Sequence, residues 1–128
     1  MKEVFSRTEL LLGEEAMHTF TNATVAVFGV GGVGGFTVEA LARSGIGGFD
    51  LIDNDVVSES NINRQILATI DTIGKDKVEV AKSRALSINE NCVINTYKTF
   101  FLPENSNEFD FSNYDYVIDC IDTITGKI

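Results

Sequence analysis

Gly29, Gly31 and Gly34 stand in the stretch GVGGVGGF, directly after the apolar run Ala26–Phe28, and fit the spacing G-x-G-x-x-G. A strand that breaks into such glycines and then opens a helix is a phosphate-holding turn. Gly29 supplies the tight turn. Gly31 and Gly32 let the backbone approach a phosphate, and the helix N-terminus offers unpaired N–H groups with partial positive charge. The same glycines also suit a turn with a purely structural role. Asp53 closes the next apolar run, where a carboxylate can accept hydrogen bonds from ribose hydroxyls. A nicotinamide-dependent dehydrogenase would carry these features too. Arg64 follows eleven residues after Asp53, and Lys77 thirteen residues after that. Cations above a phosphate turn point instead to a triphosphate whose charge is neutralised during reaction. Their other reading is as surface-facing helix cations, replaceable without loss of the fold.

The elements that must position these residues follow from periodicity. Thr8 to Phe20 predicts a leading helix, with Leu11, Leu12, Ala16, Met17 and Phe20 as its apolar stripe and Thr8 as N-cap. Thr24–Phe28 is a first strand, and Val33 to Ala42 a helix ended by Gly45, which suits the left-handed position after a helix. Phe49–Ile52 is a second strand. Asn61 to Ala68 reads as a short helix capped by Ser58 or Ser60, and Lys75 to Ile88 as a longer one burying Val78, Ala81, Ala85 and Ile88. Val93–Tyr97 and Tyr116–Cys120 are the third and fourth strands, with a short helix or turn over 104–109. Strands alternating with helices predict an α/β, Rossmann-like, doubly wound and mainly parallel sheet. Residues 1–128 read as one ATP-binding domain, the truncated N-terminal part of a longer enzyme.

The segments GVGGVG, DLIDNDVVSESNINRQ, IGKDKVE and YDYVIDCIDT resemble, in order and across nearly the whole chain, the ThiF/MoeB/HesA (ubiquitin-activating-like) superfamily. That resemblance implies ATP-dependent adenylation of a carboxylate. It places Gly32 against the nucleotide phosphates, Asp53 on the ribose, and Asn61, Arg64 and Lys77 on ATP, with both cations stabilising charge at the transferring phosphorus. It gives Asp122 the magnesium ion, although an aspartate there would equally cap the next helix. Arg7 in FSRTELLLG resembles the segment by which protomers of this superfamily reach into each other's site as an arginine finger, which implies a homodimer.

Superfamily members acting on ubiquitin-like sulfur carriers usually read SNLQRQ and DCTDN. This chain has NINRQ and DCIDTITGK, with Thr123 in place of the usual asparagine. Together with RTELLLG and VEALARSGIGGFDLID, that is more similar to the tRNA threonylcarbamoyladenosine dehydratase branch. The implied substrate is then the threonylcarbamoyl carboxylate of a modified adenosine in tRNA, cyclised with net loss of water. The alternatives are adenylation of the C-terminal glycine of a ubiquitin-like sulfur carrier, and a nucleotide-binding module without turnover.

Composition sets further bounds. With a formal charge of −9 and no basic run, this segment is a poor nucleic-acid surface by itself, so tRNA would be met through a further C-terminal half. No apolar run is long enough to span a bilayer, and two isolated cysteines, Cys92 and Cys120, suit a reducing cytoplasm. Both read as small core residues, His18 as a surface or interface residue, and Phe100, Phe101, Phe109 and Phe111 as core.

Overall fold

The computed structural model describes residues 3–99 and 113–121. A single turn of 3-10 helix, Glu3–Phe5, leads into α1 (Ser6–Leu12) and α2 (Glu14–Asn22). Then follow β1 (Thr24–Phe28), α3 (Gly32–Ser44), β2 (Gly48–Ile52), α4 (Lys77–Ile88), β3 (Val93–Tyr97) and β4 (Tyr116–Asp119). The four strands form one parallel sheet in the order β3-β2-β1-β4. The chain therefore steps outward from β1 to β3 and returns to the other side of β1, and the crevice past the strand ends at β1 and β4 is where such sheets bind ligands.

β1 and β2 are buried almost throughout, as central strands of a covered parallel sheet should be. Val25, Val27, Phe49, Leu51 and Ile94 face Val38 and Ala42 of α3 and Val78, Ala81 and Ala85 of α4, forming the main core. Ala26, Phe28 and Ile52 point to the opposite face. Buried Asp50 on β2 is partnered on two sides: Asn95 Nδ2 donates to it at 3.0 Å and the Tyr114 hydroxyl at 2.6 Å. Burial and the nearby Asp50 carboxylate push the Tyr97 hydroxyl above the usual tyrosine range.

The strands and the α3 helix lie where periodicity places them, and Gly45 ends α3 at φ +98°. Three readings need correction. The leading helix is two helices, broken at Gly13, whose φ of +94° is left-handed and whose N–H closes α1 onto Glu9. Thr8 lies inside α1 rather than capping it, and of the predicted stripe only Met17 is fully buried, while Leu11 is 83% exposed. The expected Asn61–Ala68 helix is a 3-10 turn, Glu59–Asn61, followed by turns. Ser58 does cap it, and the Asn61 side chain accepts the Ser58 N–H at 2.9 Å, the reciprocal bond of a capping box. Beyond it the backbone closes only single turns, the Arg64 and Gln65 N–H groups on Asn61 O and the Ala68 N–H on Gln65 O. The longer helix begins at Lys77, two residues later than periodicity suggested, with Asp76 at its N-cap position. The predicted 104–109 element and the four phenylalanines at 100, 101, 109 and 111 lie outside the described residues.

Candidate functional site

The glycine turn is fixed by the backbone around it. Gly29 sits at φ +94° and donates its N–H to Ile52 O at 2.8 Å; a Cβ there would meet Cys120 O at 2.7 Å. A Cβ on Gly34 would come within 1.7 Å of Gly29 O, so this glycine brings α3 tight against β1. Gly31 is the N-cap residue of α3 and Gly32 its first helical residue, around which a Cβ would meet nothing within 4 Å. The first residue of this helix therefore leaves room for a ligand to approach.

Asp53 ties the end of β2 to that turn. Its Oδ2 accepts the Val30 N–H and its Oδ1 the Asp55 N–H, both at 2.8 Å. The chain then pairs with the approach to α4: Val56 bridges Asp76, the Val57 N–H bonds Lys75 O, and the Lys77 N–H bonds Asp55 O. This small ladder brings Lys77 across to the glycine turn.

One cavity of about 290 Å³ collects these groups, with Gly29, Gly31, Gly32, Asp53, Arg64 and Lys77 on its wall. Arg64 is exposed and reaches the cavity from the turn region, its Nη1 donating to Ser60 O and Asn63 Oδ1 at 3.0 Å. Lys77 is buried, its side chain only 8% exposed, with Nζ 3.7 Å from Asp55 Oδ2. Lys77 therefore does not match the surface-facing reading. A buried ammonium at a helix N-terminus sits against the helix dipole, an arrangement that favours an arriving anion.

Three expected nucleotide or catalytic positions lie elsewhere. Asn61 does not line the cavity; buried, it accepts the Ser58 N–H through Oδ1 and, through its carbonyl, the N–H groups of Arg64 and Gln65. Gly34 serves helix–strand packing and is likewise off the wall. Arg7 is exposed on α1 and does not line this chain's cavity. Asp122 lies outside the described residues.

Sequence reading missed several wall residues. Gln65 lies over the turn, its Nε2 3.4 Å from where a Gly31 Cβ would be. Its position beside Arg64 was a signal. Asp55 shares the wall, two residues after Asp53, and so do Asn54 and Thr99. Cys120 is half-buried and lines the cavity rather than filling only the core. Cys92 is a core residue: its thiol donates to Ile46 O at 3.1 Å, and burial pushes its pKa up to about 11. His18 is exposed on α2, as expected.

Comparison with known proteins gives this geometry a setting. Residues 5–128 match the ThiF family. The tRNA threonylcarbamoyladenosine dehydratase of Bacillus subtilis (strain 168) is 48% identical over 128 residues, which is all of this chain and 50% of that protein. The crystal structure of the Escherichia coli tRNA N6-threonylcarbamoyladenosine dehydratase in complex with ATP superposes with a TM-score of 0.94 at 42% identity, covering 98% of this chain and 51% of that one. More distant is the adenylyltransferase and sulfurtransferase UBA4 of Scheffersomyces stipitis, 39% identical over 103 residues, covering 80% of this chain and 23% of that protein. The chain spans about half the length of the curated dehydratases it matches. Among the described residues no helix is long and apolar enough to cross a membrane.

Proposed function

The chain belongs to the ThiF family, and from that premise we propose that its glycine-lined cavity binds ATP and that the ATP adenylates a carboxylate. The supporting observation is convergence: the glycine turn, Asp53, Arg64 and Lys77 come from separate segments and share one cavity. In this reading the α3 N-terminus and the Gly31–Gly32 backbone hold phosphate, and Asp53 has lone pairs left for the ribose hydroxyls. Arg64 and Lys77 neutralise the polyphosphate so that a second anion can approach. The Asn61 side chain acts through the loop it caps, by presenting Arg64.

The substrate we propose is the threonylcarbamoyl carboxylate of a modified adenosine in tRNA. A carboxylate oxygen bonds to the α-phosphorus as the bond to the pyrophosphate oxygen breaks. The ureido group then attacks the acyl carbon, releasing AMP and a proton and closing a ring. A magnesium ion would screen the phosphates and would be held partly by them; among the described residues no three carboxylate, histidine or cysteine side chains cluster to hold one. Asp122 would supply the protein ligand. We further propose that residues 1–128 form one ATP-binding unit, that it works as a cytoplasmic homodimer with Arg7 reaching the partner's site, and that tRNA meets a C-terminal half.

The UBA4 likeness supports a second reading, adenylation of the C-terminal glycine of a ubiquitin-like sulfur carrier. ATP–pyrophosphate exchange separates the two, measured on protein that carries the proposed C-terminal half, since residues 1–128 alone are expected to be inactive. Exchange dependent on threonylcarbamoyl-modified tRNA is the expected result. Exchange with a carrier protein alone would favour the second reading, and ATP binding with no exchange would leave a nucleotide-binding module.

A further inference from the structure

We propose that Asp55 is a positioning residue, the place-holding counter-ion of Lys77 that a nucleotide phosphate replaces. The inference rests on the polyphosphate reading above. The Lys77 side chain is only 8% exposed, and Asp55 is the one carboxylate within 4.0 Å of its Nζ among the described residues. An ammonium has three donors and no acceptor, so an enclosed one needs an anionic neighbour whether or not a ligand is bound. Asp55 is built for a temporary role. Its backbone is held at both ends, the N–H by Asp53 Oδ1 at 2.8 Å and the carbonyl by the Lys77 N–H at 3.0 Å. Its side chain is 60% exposed, and the 3.7 Å pair it makes is long. The peptide unit is fixed while the carboxylate can turn to water, and a long pair with one solvated partner is weak. A phosphate, carrying more charge and more acceptor oxygens, replaces it.

The exchange costs nucleotide affinity, because Lys77 must leave one anion to meet another. Calorimetric titration of the whole chain with ATP, in chelator and again with Mg2+, tests this in wild type, D55N, D55S, D55E, K77A and the D55N/K77A double variant. D55N and D55S bind metal-free ATP about three- to tenfold more tightly than wild type, D55E binds as wild type does, and the gain disappears in the K77A background. Three results overturn the proposal: weaker binding by D55N in both media, weakening only when Mg2+ is present, or a gain that persists without Lys77. Wild-type binding that K77A weakens upholds the polyphosphate reading whichever way D55N turns. Equal ATP binding by wild type and K77A sinks that reading and the proposal with it.

Discussion

The cavity has two unlike walls. The glycine wall, Gly29, Gly31 and Gly32, presents backbone, and its shape is set at Gly29, and at Gly34 behind it, by contacts too close for any side chain. The opposite wall presents Arg64 and Lys77, long side chains delivered by turns and by the first residue of a helix. Backbone walls are determined with the fold, so a substitution there disturbs either the structure or the ligand. A wall of cations can lose a member while the fold survives, and its chemistry is correspondingly easier to remove.

The sharpest break in this comparison lies just behind the glycine wall, in the packing that holds it. Gly34→Ala puts a Cβ into Gly29 O, forcing α3 off β1. A loss of about 3 kcal/mol is expected, a fall in Tm on the order of 10 °C, with nucleotide binding lost as a consequence. A Cβ on Gly32 meets nothing within 4 Å, so Gly32→Val keeps its stability within about 1 kcal/mol of wild type while ATP affinity falls at least tenfold. Thermal denaturation and ATP titration of the pair check this. Equal ATP affinity in Gly32→Val and wild type would show that the phosphates do not lie on that helix start.

On the cation wall the two members should separate by burial. Arg64→Ala and Lys77→Ala each lower the exchange rate by roughly a hundredfold or more, the scale of losing one preorganised charge. Their stabilities differ: Arg64→Ala is neutral within about 0.5 kcal/mol, whereas Lys77→Ala loses about 1–2 kcal/mol through its enclosed alkyl stem. Unchanged turnover in Arg64→Ala would remove that residue from the chemistry.

What was legible in the sequence follows the same division. The glycine turn, the four strands and α3 could be read because apolar runs and glycines act through short-range sterics, and Gly45 took its left-handed place. The cations were legible as residue types, yet their burial was not: nothing around Lys77 in sequence announces that Val56 will bridge Asp76 and draw it inward. The 61–68 segment misled because its capping box is a true helix-start signal, while the backbone after it closes single turns on Asn61 O and Gln65 O instead of continuing as a helix. The leucines of α1 misled in the opposite sense, since helical spacing promised burial and Leu11 and Leu12 are exposed.

That cap supplies a test of how the cation wall is held. Asn61→Ala leaves the Ser58 N–H without its partner and loosens the turn whose carbonyl accepts from Arg64 and Gln65. The expected cost is about 1–2 kcal/mol, with a smaller fall in exchange rate than Arg64→Ala gives. Asn61→Asp, which keeps the acceptor, should restore most of the stability. A rate in Asn61→Ala as low as that of Arg64→Ala, at unchanged Tm, would mean that Asn61 touches the nucleotide directly.

The smallest effect concerns the strut between the walls. Glu39 of α3, the helix that begins the glycine wall, accepts from Arg84 of α4 at 2.6 Å, with Arg43 3.6 Å away. The Arg84 hydrogen bond, with the charges of Arg84 and Arg43, holds the Glu39 carboxyl below its ordinary value near 4.5 despite some desolvation. A depressed folded pKa means that the unfolded chain binds more protons as the pH drops, so the stabilisation is complete above about pH 4.5 and is lost as pH falls through the folded value. Arg84 is half exposed, and solvent screening keeps the gain below about 1 kcal/mol. Glu39→Gln should therefore melt slightly below wild type at pH 7, converge with it on acidification, and differ less in high salt. A gap that stayed constant from pH 7 to pH 3 would mean that packing between α3 and α4, and not this charge, sets how the two walls face each other.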